Sequence, residues 1–326
     1  MKAIVYSKYG SPDVLELKDA EKPVPKKNQV LIKVHAASVN PAELHLLRAD
    51  PSVTRVYSGL LKPKFTILGA DISGKVEAVG RNIKQFHIGD EVFGDLSHCG
   101  WGGFSQYVCA RENALGLKPA NLSFEEAATV PLASLAALQG LRNKGKIHPG
   151  QKVLINGASG GVGTFAVQIA KSFGTEVTGV CSTKNLDLVR SIGADHVIDY
   201  TQVDFSRNGQ HYDLIFDAVG NRSFSDCMRA LSPNGICAVA GFTTFSHLLW
   251  VMVLGPWVSI TGSKKMGLMG TAKPNNKDLA FIKELIEAGK VKPVIDRRYP
   301  LSEVAEAFRY LEKKHARGKI VITVEH

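Results

Sequence analysis

The sequence predicts an α/β protein with two domains, one mostly β and one built on a doubly wound parallel sheet. Short β-type runs separated by Pro and Gly turns fill the first part of the chain. From Lys152 onward, apolar strands alternate with helical patterns. The chain has 326 residues. At about 150 residues per typical domain, this length also predicts two domains.

The predicted β domain occupies residues 1–125. Its β-type runs are Ala3–Ser7, Gln29–His35, Ile72–Val79, Glu91–Phe93 and Phe104–Cys109. Between Leu122 and Leu141 the sequence becomes rich in Ala and Leu, and Ser123 with acids at 125 and 126 is typical of a helix start. We therefore expect a new unit to begin there.

The parallel-sheet domain is predicted from the strands that follow. They are Val153–Ile155, Glu176–Val180, His196–Asp199, Tyr212–Val219 and Ile236–Ala240, with helical patterns in the connections. Strands joined through helices pair in parallel by right-handed crossovers, and the helices cover both faces of the sheet. The rest of the chain holds two amphipathic helices, near Lys277–Ala288 and Ser302–Lys314, and a last strand, Lys319–Val324.

A glycine-rich turn follows the first of these strands. The glycines at 157, 160 and 163 stand between the strand and a helix whose apolar residues recur with helical spacing. Such glycines let the backbone approach a pyrophosphate, and the helix N-terminus offers free N–H groups and a partial positive charge. The sequence therefore predicts a dinucleotide site at Ser159, Gly160, Gly161, Val162 and Gly163.

The end of the second strand of this domain predicts the cofactor. Proteins that bind NAD place Asp or Glu there to accept from the ribose 2′-hydroxyl. Here Glu176–Val180 ends in Cys181-Ser182-Thr183-Lys184, without an acid. Two hydroxyls and an ammonium suit a 2′-phosphate, which a carboxylate within about 4 Å would disfavour by on the order of 4 kcal/mol. We expect NADPH, with Ser182 and Lys184 as contacts of its 2′-phosphate.

Composition and charge limit the other function classes. With 44% hydrophobic and 21% charged residues, the chain is typical of a folded protein. Five cysteines without the spacing of a zinc knuckle or a redox dithiol favour a reducing compartment, and no secretory signal pattern is seen, so we expect a cytoplasmic location. The net charge of +10 favours anionic partners. An RNA-binding role is the alternative from another class, but no aromatic and basic motif specifies bases.

Motifs along essentially the whole chain resemble the medium-chain dehydrogenase/reductase superfamily. They are Gly89–Gly94, Ala127–Leu132, Gly157–Gly163, Gly193–Tyr200 and Asp217–Gly220. The sequence is similar to the zinc-independent quinone oxidoreductases, among them the chloroplast-envelope quinone oxidoreductase homologues. The resemblance implies a GroES-like catalytic domain at 1–125 and 266–326, a Rossmann domain at 126–265, and NADPH in the cleft between them.

The resemblance also implies that no metal is bound. Zinc-dependent alcohol dehydrogenases place a Cys near residue 40, Gly-His-Glu at 69–71 and four cysteines near residue 100. Here Asn40, Ala70, Asp71 and the single Cys99 stand at those positions, which supply neither the three ligands of a catalytic zinc nor the four of a structural one. Without a Lewis acid to stabilise an alkoxide, we expect hydride transfer to an electron-poor quinone or α,β-unsaturated carbonyl.

The same resemblance implies the remaining site residues. Asn40 and Glu43 line the nicotinamide end of the cleft, where Asn40 donates to the ribose or to the substrate carbonyl. Tyr57, in the loop from Arg48 to Phe65, is the one candidate proton donor; solvent is the other proton source. A proton-donating Tyr57 beside an acyl-chain channel would favour the alternative within the same class, an enoyl-thioester reductase. The further cofactor contacts implied are Thr129, Tyr200, Val219 and Phe242.

An apolar stretch, Leu248–Ile260, is broken by Gly255-Pro256 and is too short to span a bilayer. We expect Leu248–Trp257 in the core or at a subunit contact, with peripheral membrane contact as the second possibility. Trp257–Ile260 is typical of an edge strand that needs a partner. Together with the resemblance, this strand predicts a homodimer.

Overall fold

The computed structural model describes residues 1–243, 249–253, 255 and 262–326. The chain forms two compact units. Unit 1 comprises Met1–Leu132, Lys273–Glu287 and Pro293–His326, and unit 2 comprises Ala133–Ala272 and Ala288–Lys292. The chain therefore leaves unit 1 after Leu132, later than the expected boundary at 125, and returns at Lys273 rather than at 266.

The regular elements are numbered in chain order. The strands are β1 Lys2–Val5, β2 Glu16–Asp19, β3 Gln29–Val39, β4 Asp71–Val79, β5 Glu91–Asp95, β6 Tyr107–Arg111, β7 Leu115–Leu117, β8 Lys152–Asn156, β9 Glu176–Cys181, β10 His196–Asp199, β11 Tyr212–Asp217, β12 Leu231–Val239, β13 Lys265–Leu268, β14 Ile295–Pro300 and β15 Lys319–Thr323. The helices are α1 Pro41–Arg48, α2 Thr54–Ser58, α3 Phe124–Ala128, α4 Pro131–Gln139, α5 Gly161–Ser172, α6 Leu186–Ser191, α7 Phe224–Ala230, α8 Asn276–Glu287 and α9 Val304–Glu312.

Unit 1 is built around a largely antiparallel sheet. Its order is β14-β15-β3-β4-β5-β7, with β6 also paired to β3, and β1 and β2 form a separate hairpin. Only β14 and β15 pair in parallel among these strands. Helix α9 places Val304, Ala307 and Phe308 on one face, as the i, i+3, i+4 spacing requires, and all three are buried in the core of unit 1. The ring of Phe308 lies edge-on to Phe104, with centroids 5.9 Å apart.

Helix α3 begins as the sequence predicts but belongs to unit 1. Ser123 accepts the N–H of Glu126 and donates its own N–H to the Glu126 carboxylate, which confirms the predicted helix start. The ring of Phe124 stacks on His35 at 4.3 Å, and Ala128 packs in a small core with neighbours from β3 and β15. This packing explains why the unit boundary falls after the helix.

Unit 2 confirms the predicted doubly wound sheet. Its described strands follow the order β10-β9-β8-β11-β12-β13, and every neighbouring pair is parallel. Strands β9 and β10 extend the sheet on one side of β8, and strands β11, β12 and β13 extend it on the other side. Because parallel strands end at the same edge, the turns after β8, β9, β10, β11 and β12 meet where such sheets bind ligands.

Part of the predicted apolar stretch can be compared with the structure. The predicted edge strand Trp257–Ile260 lies outside the described residues. Within Leu248–Trp257, residues 249–253 and 255 are described, and Val251 is buried. The exposed side chains are Leu249, Trp250, Met252 and Val253. The expectation of a core position therefore does not hold for these four side chains. Among the described residues, no helix is long and apolar enough to cross a membrane.

The structure gives a different reason for a glycine at each of the three positions in the turn after β8. Gly157 has a φ of +83°, which side-chain-bearing residues rarely adopt. A Cβ on Gly163, in the first turn of α5, would lie 2.0 Å from the carbonyl oxygen of Gly157. A Cβ on Gly160 would have only that same oxygen nearby, at 3.5 Å. Gly163 is therefore required by helix packing, whereas the space above Gly160 is open.

We expect Gly163→Ala to destabilise unit 2 and Gly160→Ala to leave its stability nearly unchanged. The added methyl at 163 must displace backbone, which costs about 1 to 3 kcal/mol, the usual range for overpacking. Urea unfolding of the wild type and both variants measures the free energy of unfolding. Equal losses in the two variants would contradict this assignment of the glycines.

Candidate active site

Unit 1 contains a buried group of polar side chains, the polar cluster: Ser38, Asn40, Glu43, Asp71 and Lys319. Each is at most 3% exposed. The cluster forms where strands begin and end: β3 ends just before Asn40, while β4 begins at Asp71 and β15 begins at Lys319. Both strands pair with β3 in antiparallel register, so their first residues lie at the end of β3.

An ion pair lies at the centre of the polar cluster. Lys319 Nζ donates to Asp71 Oδ2 at 3.0 Å and also to Asn40 Oδ1. Asp71 Oδ2 accepts further from Ser38 Oγ at 2.8 Å, and Asp71 Oδ1 accepts from the N–H of Leu132 at 2.7 Å. A buried ion pair persists when hydrogen bonds satisfy its remaining lone pairs, as they do here.

The side chain of Asn40 is engaged within the polar cluster. Its Nδ2 donates to Asp71 Oδ2 at 3.0 Å and to Glu43 Oε1 at 3.3 Å. Both amide hydrogens are therefore engaged inside unit 1, and Lys319 occupies the amide oxygen. In this arrangement Asn40 has no hydrogen to donate to a ribose or a substrate carbonyl, and it connects the charged members of the cluster instead.

Glu43 is a buried carboxyl that exchanges its proton near neutral pH. It accepts from the N–H of Asn40 at 2.8 Å, in a capping arrangement at the start of α1, and from the N–H of Ala70 at 2.9 Å. Burial raises its pKa to about 7; the nearby Asp71 carboxylate adds to the rise, while the Ala70 N–H and Lys319 oppose it. Burial likewise raises the pKa of Asp95, paired with Asp71 across β4 and β5, to about 6.

The other two predicted site residues of unit 1, Thr129 and Tyr57, differ in their exposure. Thr129 is buried at the end of α3, and its hydroxyl donates to the Glu126 carbonyl at 2.7 Å. Tyr57 on α2 is 52% exposed, and its hydroxyl donates to the carbonyl of Ser97 at 3.1 Å. The structure thus brings Asn40 and Glu43 together in the core and places Tyr57 at the surface.

In unit 2 the start of α5 fits a phosphate group. Gly160 is the N-cap, and no side chain caps the helix. The N–H groups of Gly161, Val162 and Gly163 therefore have no intrahelical acceptor, and they lie at the positive end of the helix dipole. The open space at Gly160 lets an anion approach them.

Asp217, at the end of β11, shapes the turn that carries Val219. Its Oδ1 accepts from the N–H groups of Val219 and Gly220 at 3.0 and 2.8 Å, and from Asn156 Nδ2 at 2.8 Å. Asp217 Oδ2 is buried, and it has no hydrogen-bond partner among the described residues. Phe242 follows β12 and is half-buried, and Tyr200 follows β10 and is 50% exposed.

The turn after β9 differs from the expectation in one respect. Ser182 and Lys184 are half-buried and exposed, respectively. The Thr183 hydroxyl, however, donates to Asp199 Oδ2 at 2.6 Å. This hydrogen bond, with others from Thr201, holds the pKa of Asp199 below its ordinary value. The predicted pair of free hydroxyls is thus reduced to Ser182, because the neighbouring strand β10 supplies an acid that β9 itself lacks.

The residues at the expected metal positions do not fit a zinc ion. Asn40 offers an amide, Ala70 offers no donor, and the Asp71 carboxylate is already paired with Lys319. Zinc in proteins takes Cys, His and carboxylate ligands, at least three of them in one site. Among the described residues, no group of three or more such side chains could hold a metal ion.

Comparisons with known proteins agree with this architecture. Residues 26–120 match the alcohol dehydrogenase GroES-like domain, which confirms the expected domain type, and residues 192–322 match the zinc-binding dehydrogenase family. The chain is 34% identical to a chloroplast envelope quinone oxidoreductase homolog of Arabidopsis thaliana, over 99% of this chain and 98% of the relative. It is 35% identical to a chloroplastic NADPH-dependent alkenal/one oxidoreductase of the same plant, over 99% of this chain and 79% of the relative.

A solved structure shows the same likeness. The quinone oxidoreductase from Coxiella burnetii superposes with a TM-score of 0.87 at 31% identity, covering 100% of this chain and 99% of that one. Similarity above 30% thus extends over nearly the full length of both chains. With its GroES-like domain and its Rossmann sheet, this chain belongs to the medium-chain dehydrogenase/reductase superfamily, in the quinone oxidoreductase branch.

Proposed function

We propose that this protein is an NADPH-dependent reductase of quinones and α,β-unsaturated carbonyls that works without a metal. The observation that carries the proposal is the pairing of Lys319 with Asp71 and Asn40, at the positions where zinc-dependent relatives place metal ligands. A site with an ammonium in that place lacks a Lewis acid for an alkoxide, so it suits acceptors that are already electron-poor. When bound, the reduced nicotinamide supplies the hydride.

The residues of the two units take distinct parts in the proposal. The N–H groups at the start of α5 bind the pyrophosphate, while Val219 and Phe242 flank the cofactor and Tyr200 lies near the adenine end. Because the Thr129 hydroxyl donates to Glu126, its oxygen is left to accept, as from a carboxamide N–H. Within the polar cluster of unit 1, Asn40 and Glu43 are positioning residues.

Reduction of a conjugated C=C bond also consumes a proton. Tyr57 donates to the Ser97 carbonyl from an exposed helix, and Glu43 is fully buried. We therefore propose that solvent protonates the product. A homodimer and a cytoplasmic location, both argued from the sequence above, are further parts of the proposal.

The proposal is tested by an acceptor panel with NADPH. We expect 1,4-benzoquinone, 2-hexenal and an enone to be reduced. We expect ethanol with NADP⁺ to give no reaction, since no metal ion stabilises an alkoxide. Cofactor absorbance at constant protein concentration measures each rate. Reduction of crotonyl-CoA at a rate far above that of quinones and enals would point instead to the enoyl-thioester reductase, and a dominant alcohol oxidation would contradict the proposal.

The proton on Glu43 predicts a pH dependence of stability. Its folded-state pKa of about 7 lies above the ordinary value of 4.5, so between these values the folded chain holds a proton that the unfolded chain has released. This stabilising contribution is complete below about pH 4.5 and is lost as the pH rises through 7, a change of about 3 kcal/mol. Glu43→Gln cannot ionise, so its stability should fall less than that of the wild type between pH 5 and pH 8, although its amide replaces one of the two acceptor oxygens.

Urea unfolding from pH 5 to pH 8 measures this difference. The exposed Glu303→Gln is the matched control, since it removes the same charge outside the core. Parallel stability curves for Glu43→Gln and the wild type across this range would show that Glu43 does not hold a proton in the folded state.

The preference for NADPH over NADH is tested at Lys184. Lys184→Ala should weaken NADPH by about 1 to 3 kcal/mol, the contribution of a hydrogen bond to a charged group, and leave NADH nearly unchanged. Ser182→Asp should go further, because a carboxylate repels the 2′-phosphate and accepts from the free ribose hydroxyl of NADH. The measurement is kcat/KM for both cofactors, with the exposed Lys290→Ala as the control for loss of one positive charge. Equal losses for both cofactors in Lys184→Ala would show that this turn does not contact the phosphate.

A further inference from the structure

Two serines from different turns meet beside one asparagine in unit 2. Strands β8 and β9 are parallel neighbours, with Asn156 opposite Val180, so the turns that follow them lie at the same edge of the sheet. Ser159 comes from the first turn and Ser182 from the second. Asn185 Nδ2 lies 3.0 Å from Ser159 Oγ and 3.2 Å from Ser182 Oγ.

The direction of these hydrogen bonds determines what the serines can bind. The Asn185 amide has two hydrogens, and one is donated to each serine oxygen. A hydroxyl that accepts in this way still has its own hydrogen to donate. Among the residues that the structure describes, neither serine hydroxyl has an acceptor for that hydrogen. The two hydroxyls are therefore prepared as donors to an anion.

Asn185 itself is held firmly in place. It is 6% exposed, so its side chain has little freedom to turn away from the two serines. Its backbone N–H donates to the Ser182 carbonyl at 2.9 Å, which holds Asn185 at the start of α6.

A phosphorylated ribose matches this pattern of donors and acceptors. Its 2′-phosphate offers acceptor oxygens to both serine hydroxyls. We propose that Asn185 is a positioning residue that orients the Ser159 and Ser182 hydroxyls toward the 2′-phosphate. Ser159 thereby takes the place that Thr183, engaged with Asp199, cannot fill. The inference rests on the proposed function for the choice of cofactor.

The test uses fragments that report the adenosine half alone. Adenosine 2′,5′-bisphosphate and AMP differ in the 2′-phosphate, and calorimetry gives the affinity of each for the full chain. In the wild type we expect the bisphosphate to bind more tightly. Asn185→Ala should lower the ratio of the two affinities about threefold to tenfold, as expected for hydrogen bonds whose geometry is lost. The exposed Asn234→Ala, in the same unit, is the control and should keep the wild-type ratio.

A double-mutant cycle shows whether Asn185 acts through the serines. In a Ser159→Ala/Ser182→Ala background, Asn185→Ala should change the ratio less than twofold, because no hydroxyl remains to orient. A merely structural role would lower both affinities together and leave the ratio unchanged.

The outcomes separate this inference from the proposed function. A wild type that binds the bisphosphate no more tightly than AMP contradicts the proposed preference for NADPH. A wild type that prefers the bisphosphate, with the ratio kept in Asn185→Ala, overturns the role of Asn185 alone. Asn185→Ala could also lower the affinity ratio by the same factor in the Ser159→Ala/Ser182→Ala background. This result overturns the inference too, since Asn185 would then act on the ligand without the serine hydroxyls.

Discussion

The ammonium of Lys319 and the carboxylate of Asp71 lie 3.0 Å apart in the core of unit 1, and the polar cluster is arranged around them. Removing two charges from water costs several kcal/mol per ion, which close approach and full hydrogen bonding must offset. Ser38, Asn40 and the Leu132 N–H supply those hydrogen bonds. The geometry of Asn40 and Glu43 thus depends on a pair that closes β15 onto the end of β3.

The same pair acts on Glu43, whose pKa is raised mainly by burial. The cluster contains two carboxyl groups and one ammonium, so a single positive charge is shared between them. Asp71 is in direct contact with Lys319. Burial raises the pKa of Glu43 to about 7; the Asp71 carboxylate adds to this rise, and Lys319 opposes it. A divalent metal ion would neutralise two carboxylates at once. An ammonium neutralises one, and the second site is made neutral by a proton, which leaves a cluster without a Lewis acid.

Local patterns in the sequence predicted the parallel sheet, the turn after β8 and the start of α3 at Ser123. Each depends on residues a few positions apart, where spacing and capping chemistry are visible. The engagement of Asn40 was not predictable in this way, because its partner Lys319 lies 279 positions along the chain. The contact of Asp199 with the turn after β9 was partly predictable. Asp199 ends a strand that the sequence predicts, and parallel pairing of β9 and β10 brings the end of that strand to the turn after β9.

The turn after β9 shows why residue types alone do not specify a cofactor. Ser182 and Thr183 carry the same functional group, yet Thr183 donates its hydrogen to Asp199 while Ser182 accepts from Asn185. The Thr183 hydroxyl therefore has no hydrogen left to donate to an anion, whereas the Ser182 hydroxyl still has one. Thr183 and Thr201 donate to both carboxylate oxygens of Asp199, so in the proposed site this carboxylate is already hydrogen-bonded before a ribose hydroxyl approaches. Discrimination between a phosphate and a hydroxyl therefore depends on which atom holds each hydrogen, and that is determined by the contacts between neighbouring strands.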